Sequence, residues 1–88
     1  MPTICRFYGI VILMNFLESG RRFPHFHARY GKFRASFSLD PLACVAGKLP
    51  PRAERLVLEW ADMHNAELLE NYERATRAAS LAPIAPLP

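Results

Sequence analysis

The chain has 88 residues, of which 51% are apolar and 11% aromatic, and its formal net charge is +3. A chain of this length forms one small domain that buries only about 60% of the surface of its unfolded state. The apolar and aromatic contents exclude a disordered chain. The length excludes multi-domain enzymes and complete dinucleotide-binding folds, and it leaves a thin core that a second subunit could complete.

Charge is divided unevenly along the chain. Residues 1–48 carry seven basic and two acidic side chains, whereas residues 49–88 carry four basic and six acidic ones. A basic first half indicates an anionic partner. Attraction between the two halves, or pairing across a dimer, is the alternative, since net charge bears on association and not on fold.

The cysteine content and the apolar run near the start both indicate a cytoplasmic protein. Cys5 and Cys44 stand far apart in apolar surroundings, so reduced, buried thiols are expected. Their spacing matches no zinc site, and no phosphate-binding loop or other cofactor motif is present, so neither a metal nor a cofactor is predicted. The run Phe7–Leu17 is too short for a membrane span, which needs about 20 residues.

Hydrophobic patterns predict four strands. The first extends from about Cys5 to Phe16 as a single, nearly continuous apolar strand. Gly31-Lys32 has the form of a type II′ turn between the strands of a hairpin over residues 25–39. A weaker fourth strand follows over about Ala43–Leu49.

The predicted hairpin sorts its side chains by face, because the turn fixes the register. One face is apolar and pairs Tyr30 with Phe33, Ala28 with Ala35, and Phe26 with Phe37. The other is polar and pairs Arg29 with Arg34, His27 with Ser36, and His25 with Ser38. We expect the helical segment to cover the apolar face and leave the polar face exposed. Burial of both His25 and Arg29 would contradict this arrangement.

A long helical pattern extends from Pro51 to about Ala79, with proline at its first position. One arc of the helix is formed by Ala53, Val57, Trp60, Ala61, His64, Leu68, Asn71, Ala75 and Ala78. Because Leu58, Met63 and Leu69 lie off this arc, a bend or break near His64–Asn65, or contact with a second chain, is predicted.

These elements predict a single α+β domain over residues 1–80. It consists of a three- to four-stranded, mainly antiparallel sheet followed by a long C-terminal helix, with a bend or break, packed on one face. Residues 81–88 contain three prolines and cannot continue the helix, so they form an extended, proline-rich tail.

The histidines are the candidate catalytic residues. His25 and His27 share a strand face and could act as acid and base in metal-independent RNA cleavage. The alternative is structural, with both rings bonded to Ser36, Ser38 or a loop carbonyl. His64 lies on the apolar arc of the helix, so we expect a core histidine bonded to the backbone or Asn71 and not a third metal ligand.

Four arginines are the candidate binding residues for nucleic acid or a protein partner: Arg21, Arg22, Arg29 and Arg34. They alternate with aromatic residues, as in proteins that bind single strands. The predicted register, however, places Phe26, Tyr30 and Phe33 in the core and leaves only Phe23 exposed beside the cations.

The whole chain resembles the bacterial family called domain of unknown function 4160. The resemblance is carried by Met1–Ile4, Arg6–Ile12, Pro24–Gly31, Leu49–Ala53, Glu59-Trp60 and Glu67–Asn71, and the stretch Pro-His-Phe-His-Ala-Arg-Tyr-Gly at 24–31 is its most specific part. The resemblance implies a small stand-alone cytosolic protein that is encoded beside another small protein and belongs to a toxin–antitoxin-like pair.

The expected function is therefore that of a small cytoplasmic interaction module in such a pair. It would bind a small protein encoded nearby, and RNA or DNA, through the basic sheet face, with no membrane partner. Two alternatives stay open. One is a ribonuclease that uses His25 and His27, with Arg29 or Arg34 stabilising the phosphorane. The other is a structural homodimer whose interface includes Leu58, Leu69 and the tail.

Overall fold

The computed structural model describes residues 2–16 and 23–88, which form an antiparallel sheet followed by two helices. The strands are β1 (Thr3–Phe7), β2 (Ile10–Leu13), β3 (His25–Tyr30), β4 (Phe33–Leu39) and β5 (Leu42–Lys48). The helices are α1 (Pro51–Met63) and α2 (Asn65–Thr76). Each strand pairs with its neighbour in the chain, so the order in the sheet is the order in the sequence. The α+β fold is confirmed.

The predicted first strand is two strands. Tyr8 and Gly9 form a two-residue turn between Phe7 and Ile10, and both have positive φ (49° and 79°). This is the signature of a type I′ hairpin turn, for which Asn-Gly is the usual sequence. The described sheet therefore has five strands and not three or four. The turn was not predicted because it lies within an apolar run and places a tyrosine in the left-handed region.

The hairpin of β3 and β4 has the predicted register. His25 pairs with Ser38, Arg29 with Arg34 and Tyr30 with Phe33. Gly31 has φ +58°, whereas Lys32 is not in the left-handed region, as a type II′ turn requires.

The last strand, β5, pairs with β4 on one edge and contains a β-bulge. Ser36 pairs with Ala46 while Phe37 pairs with Cys44, so Val45 is an extra residue without a partner opposite. Within residues 2–16 and 23–88, no strand pairs with the outer edge of β5.

The helical segment is divided at His64, where the bend or break was expected. Seven residues of the predicted arc are buried: Ala53, Val57, Trp60 and Ala61 from α1, and Leu68, Asn71 and Ala75 from α2. The predicted helix to about Ala79 is too long, because α2 ends at Thr76 and the backbone turns to a positive φ (55°) at Ala78, which is exposed. The off-arc residues Leu58 and Leu69 are half-buried and pack against the same core, whereas Met63 is exposed. His64 itself is half-buried, and its Nδ1 lies 2.6 Å from Glu67 Oε1. The prediction of a core histidine bonded to the backbone or Asn71 is therefore wrong, because His64 lies at the junction of the helices and its ring bonds Glu67 in the first turn of α2.

The core lies between the helices and the apolar face of the sheet. The indole ring of Trp60 packs against Phe7, with 5.3 Å between ring centroids, and against Phe26. Phe26 and Phe37 stack across β3 and β4 at 5.2 Å. Tyr30 was expected in this core, but it lies at the turn end of β3 and is 37% exposed.

The tail over residues 81–88 is extended and packs on the domain as a strap. Ile84 and Leu87 are buried. The Ile84 N–H donates to the carbonyl of Ile4 (3.2 Å), so the strap covers the outer edge of β1. The Trp60 indole donates to the Ala85 carbonyl at 2.8 Å. The strap therefore joins the sheet edge to α1.

Both cysteines are free thiols. Cys5 is buried, as expected, whereas Cys44 is half-buried on the edge strand. Burial raises the pKa of the Cys5 and Cys44 thiols, and for Cys44 the negative charge of Glu54 raises the pKa further. Both thiols are therefore poor nucleophiles at neutral pH.

Candidate functional site

The sheet face opposite the helices carries a row of paired residues that crosses all five strands and contains four cations. Arg6 pairs with Val11, Val11 with Arg29, Arg29 with Arg34, and Arg34 with Lys48. Directly opposed residues in antiparallel strands project to the same side of the sheet. We call the four cations Arg6, Arg29, Arg34 and Lys48 the basic row. With strands about 4.8 Å apart, the row spans roughly 19 Å.

The cations of the basic row have no carboxylate partners within the described part of the chain. All four side chains are exposed, and the ion pairs found there, His64–Glu67 and Glu70–Arg74, lie on α2 and at its start. Like charges placed directly opposite on neighbouring strands destabilise a sheet. Arg29, Arg34 and Lys48 stand side by side in this way, so the row disfavours folding unless an anion neutralises it.

A second row lies beside the basic row on the same face, two residues further along each strand. It contains Leu13, His27, Ser36 and Ala46. His27 Nδ1 lies 3.0 Å from Ser36 Oγ, and both side chains are largely withdrawn from solvent. The two rows border a cavity of about 360 Å³. It is lined by Leu13, His27, Ala28, Arg29, Arg34, Ala35, Ser36, Ala46 and Gly47. Its polar groups are thus two guanidinium groups, one imidazole and one hydroxyl.

His25 does not line this cavity. Only 3% of its surface is exposed, and its ring contacts Phe23, His27 and Tyr72, with 5.3 Å between the two imidazole centroids. Nδ1 donates to the Phe23 carbonyl at 2.9 Å, because a carbonyl oxygen can only accept. His25 was expected on an exposed face; it is buried because α2 brings Tyr72 against this end of the sheet.

The two serines opposite the histidines are both buried. Ser36 bonds His27, and Ser38 donates its hydroxyl proton to the Pro41 carbonyl in the β4–β5 turn. Ser38 therefore stabilises the turn. Ser36 is the one that reaches the cavity.

Comparison with known proteins gives one result that bears on identity. Residues 9–73, about three quarters of the chain, match the family described as domain of unknown function (DUF4160). The chain belongs to this family. No curated protein and no solved structure matches it.

The predicted binding residues of this DUF4160 protein are only partly brought together. Arg29 and Arg34 lie side by side in the basic row and both line the cavity. Arg21 and Arg22 lie outside the described residues. Arg6 and Lys48 were not predicted as binding residues. Arg6 joins the row only if the chain turns at Tyr8-Gly9, and Lys48 joins it only once the bulge has set the register of β5.

The described residues of the DUF4160 chain contain no group of three His, Cys, Asp or Glu side chains placed to hold a metal ion. His64 lies at the junction of the helices, whereas His25 and His27 lie on β3. Over the same residues, neither helix is long and apolar enough to cross a lipid bilayer.

Proposed function

We propose that this protein is a small cytoplasmic interaction module whose basic row binds the phosphate backbone of a nucleic acid, RNA or DNA. The observation that carries the proposal is the basic row itself: four exposed cations in register on one sheet face, with no carboxylate partner among the described residues. Phosphates would neutralise the repulsion within the row. Arg29 and Arg34 are the central pair, because they also line the cavity.

The number of cations in the row sets the expected salt dependence of binding. Each cation that contacts a phosphate releases a counterion, so the logarithm of the binding constant falls with the logarithm of salt concentration. Four contacts give a slope of roughly −3 for a single strand. Affinity would then fall on the order of 50-fold between 50 and 200 mM salt.

A salt titration with matched variants tests the proposal. Fluorescence anisotropy would follow a labelled oligonucleotide of about 12 nucleotides, within the range that single-strand binding proteins cover. Arg29→Ala with Arg34→Ala should reduce the magnitude of the salt slope by about 1.4. The control pairs Arg55→Ala with Arg77→Ala, which removes the same charge from exposed positions in the helical region. The control should leave the slope unchanged.

Two outcomes would count against nucleic-acid binding at this face. One is the absence of binding even at low salt, where phosphate contacts are strongest. The other is an equal loss in both double variants, which would mean that net charge and not the basic row attracts the ligand.

Membership of a toxin–antitoxin-like pair, with a small partner protein encoded nearby, is a further part of the proposal. It is supported by the family resemblance of the sequence and by the basic row, which carboxylates of an acidic protein could also neutralise. Co-purification of the native protein with the product of a neighbouring gene would support it. Purification of the native protein alone would count against it.

The ribonuclease alternative is less well supported by the geometry. Acid–base cleavage needs two proton-transfer groups within reach of the substrate. His27 lines the cavity beside Arg29 and Arg34, but His25 is buried and bonded to a carbonyl. Electrophoresis of the RNA after the titration checks this hypothesis, because RNA that stays intact with pure protein argues against cleavage.

A further inference from the structure

A hollow lined by two tyrosines lies at the turn end of the sheet, on the side that α1 covers. It has a volume of about 230 Å³. Its lining consists of Tyr8, Ile10, Tyr30, Pro50, Arg52, Ala53 and Leu56. Tyr8 is 58% exposed and Tyr30 is 37% exposed, so both rings can be reached from solvent.

The hollow and the basic row are joined through two strands. Tyr30 follows Arg29 at the end of β3, and Tyr8 stands two residues after Arg6 in the turn that follows β1. Successive residues of a strand project to opposite faces. A ligand that leaves the row at Arg29 therefore meets Tyr30 by passing around the end of the sheet.

We propose that this hollow binds one nucleobase of a single-stranded nucleic acid whose phosphates lie along the basic row. The inference rests on the proposed function and adds to it a preference for single strands. Stacking on aromatic rings is the usual way in which proteins hold unpaired bases, and it tolerates any base. Bases inside a duplex are already stacked and cannot enter such a hollow without being extruded.

The lining of the hollow fits a base better than it fits a larger ligand. The hollow is smaller than pockets for drug-sized molecules, which measure roughly 300–1,000 Å³. Ile10, Ala53 and Leu56 supply apolar surface, and Arg52 supplies a cation at the rim. The lining contains no carboxylate, whereas the neighbouring hollow beyond Tyr8 includes Glu59 and Met63.

Both tyrosine rings are held in place before any ligand binds. The Tyr8 hydroxyl donates to the Pro88 carbonyl at 2.6 Å. The ring of Tyr30 lies against Gly9, where a Cβ atom would come within 3.3 Å of Tyr30 Cε1. Side chains that are already ordered lose little entropy on binding. The turn glycine thus makes room for the ring that would stack on the base.

The test compares Tyr30→Leu with the matched control Phe23→Leu. Phe23 is 36% exposed and lies just before the other end of β3, so an aromatic ring is replaced by leucine at nearly the same exposure, far from the hollow. By anisotropy at low salt, Tyr30→Leu should weaken binding of a single-stranded RNA on the order of tenfold. It should not change the binding of a duplex of the same sequence, and Phe23→Leu should change neither.

A second measurement uses the unaltered protein and avoids any effect of substitution on folding. An oligonucleotide with abasic sites keeps the phosphates but lacks bases, so it should bind on the order of tenfold more weakly than the intact strand. Equal affinity for both strands would overturn the base site while leaving phosphate binding intact. If Phe23→Leu weakened the binding of single-stranded RNA and Tyr30→Leu did not, the base would bind at the other end of β3. That result would also overturn the base site in the hollow. No binding of any oligonucleotide would overturn both proposals.

Discussion

At the scale of single residues, position 47 has no room for any residue other than glycine. It lies in β5 with φ +74°, which residues with a side chain rarely adopt. A Cβ atom there would lie 2.3 Å from the Arg34 carbonyl oxygen and 2.9 Å from Ala35 Cα. Both neighbours are backbone, so no side-chain movement can relieve the clash. Gly47 thus permits the pairing that places Lys48 beside Arg34.

Gly47→Ala should therefore destabilise the protein by more than the strain of a left-handed alanine, which is about 1–2 kcal/mol. Gly31→Ala is the matched control, since Gly31 also has positive φ (58°) but no atom lies within 4 Å of its added Cβ. Urea unfolding of both variants checks this expectation. Equal decreases in the free energy of unfolding would show that the close approach of residue 47 to Arg34 does not contribute to the cost of Gly47→Ala.

Residue positions were predictable wherever local pattern alone decided them. Alternation along β3 and the Gly31-Lys32 turn placed Arg29 and Arg34 opposite one another on one face, as found. The burial of His25 was not predictable, because Tyr72 reaches it from a helix more than 40 residues later. Its environment depends on where α2 packs, which no local pattern contains.

At the scale of elements, one side chain of α2 makes two hydrogen bonds to the strap. Asn71 is fully buried, and its amide donates to the Ala82 carbonyl and accepts from the Ala82 N–H, both at 2.8 Å. The side chain thus pairs with the strap as another strand would. The helical periodicity predicted that Asn71 is buried, but it could not predict Ala82 as its partner, because periodicity indicates only that a side chain faces inward.

Asn71→Ala should cost about 2–4 kcal/mol, because it leaves the polar groups of Ala82 without partners and opens a cavity. Thr76→Ala is the control: it removes a hydrogen bond to Glu73 on the exposed side of the same helix. The control should change stability by less than about 0.5 kcal/mol. Urea unfolding gives the energies, and limited proteolysis of residues 81–88 reports release of the strap. A strap that stays resistant in Asn71→Ala would contradict the assigned role.

Element boundaries were predictable where strong signals coincide. Pro50-Pro51 marked the start of α1, and off-arc residues indicated the break at His64. The turn at Tyr8-Gly9 escaped because tyrosine is not a typical residue for positive φ and its neighbours are apolar. Because β1 and β2 were predicted as one strand, Arg6 was not predicted to lie in the basic row.

At the scale of the whole molecule, the described residues 2–16 and 23–88 form an apolar core within one chain. Its radius of gyration is 11.8 Å, close to the value of about 12 Å expected for a compact domain of this length. Leu58 and Leu69, which were candidates for a dimer interface, pack against the core of their own chain, and the tail lies on its own sheet. The net charge of +3 is the sum of a larger positive charge in the first half of the chain, which forms the sheet, and a smaller negative charge in the second half, which forms the helices.

The homodimer alternative is therefore expected to fail in solution. Light scattering at tens of micromolar protein should give the mass of one chain, 10.0 kDa. Measurement at high salt controls for association through charge, which salt screens. A mass near twice this value at both salt concentrations would contradict the expectation and favour an apolar interface between copies.

The bulge in β5 has a consequence for how other proteins can approach. An open sheet edge recruits foreign strands and promotes aggregation unless it is covered, bent or interrupted. The edge of β1 is covered by the strap, whereas β5 is interrupted at Val45 into two stretches of three residues, Leu42–Cys44 and Ala46–Lys48. Each is shorter than the five or six residues typical of a strand. The sheet is thus protected against growth in both directions, and a specific partner is expected to dock on its faces.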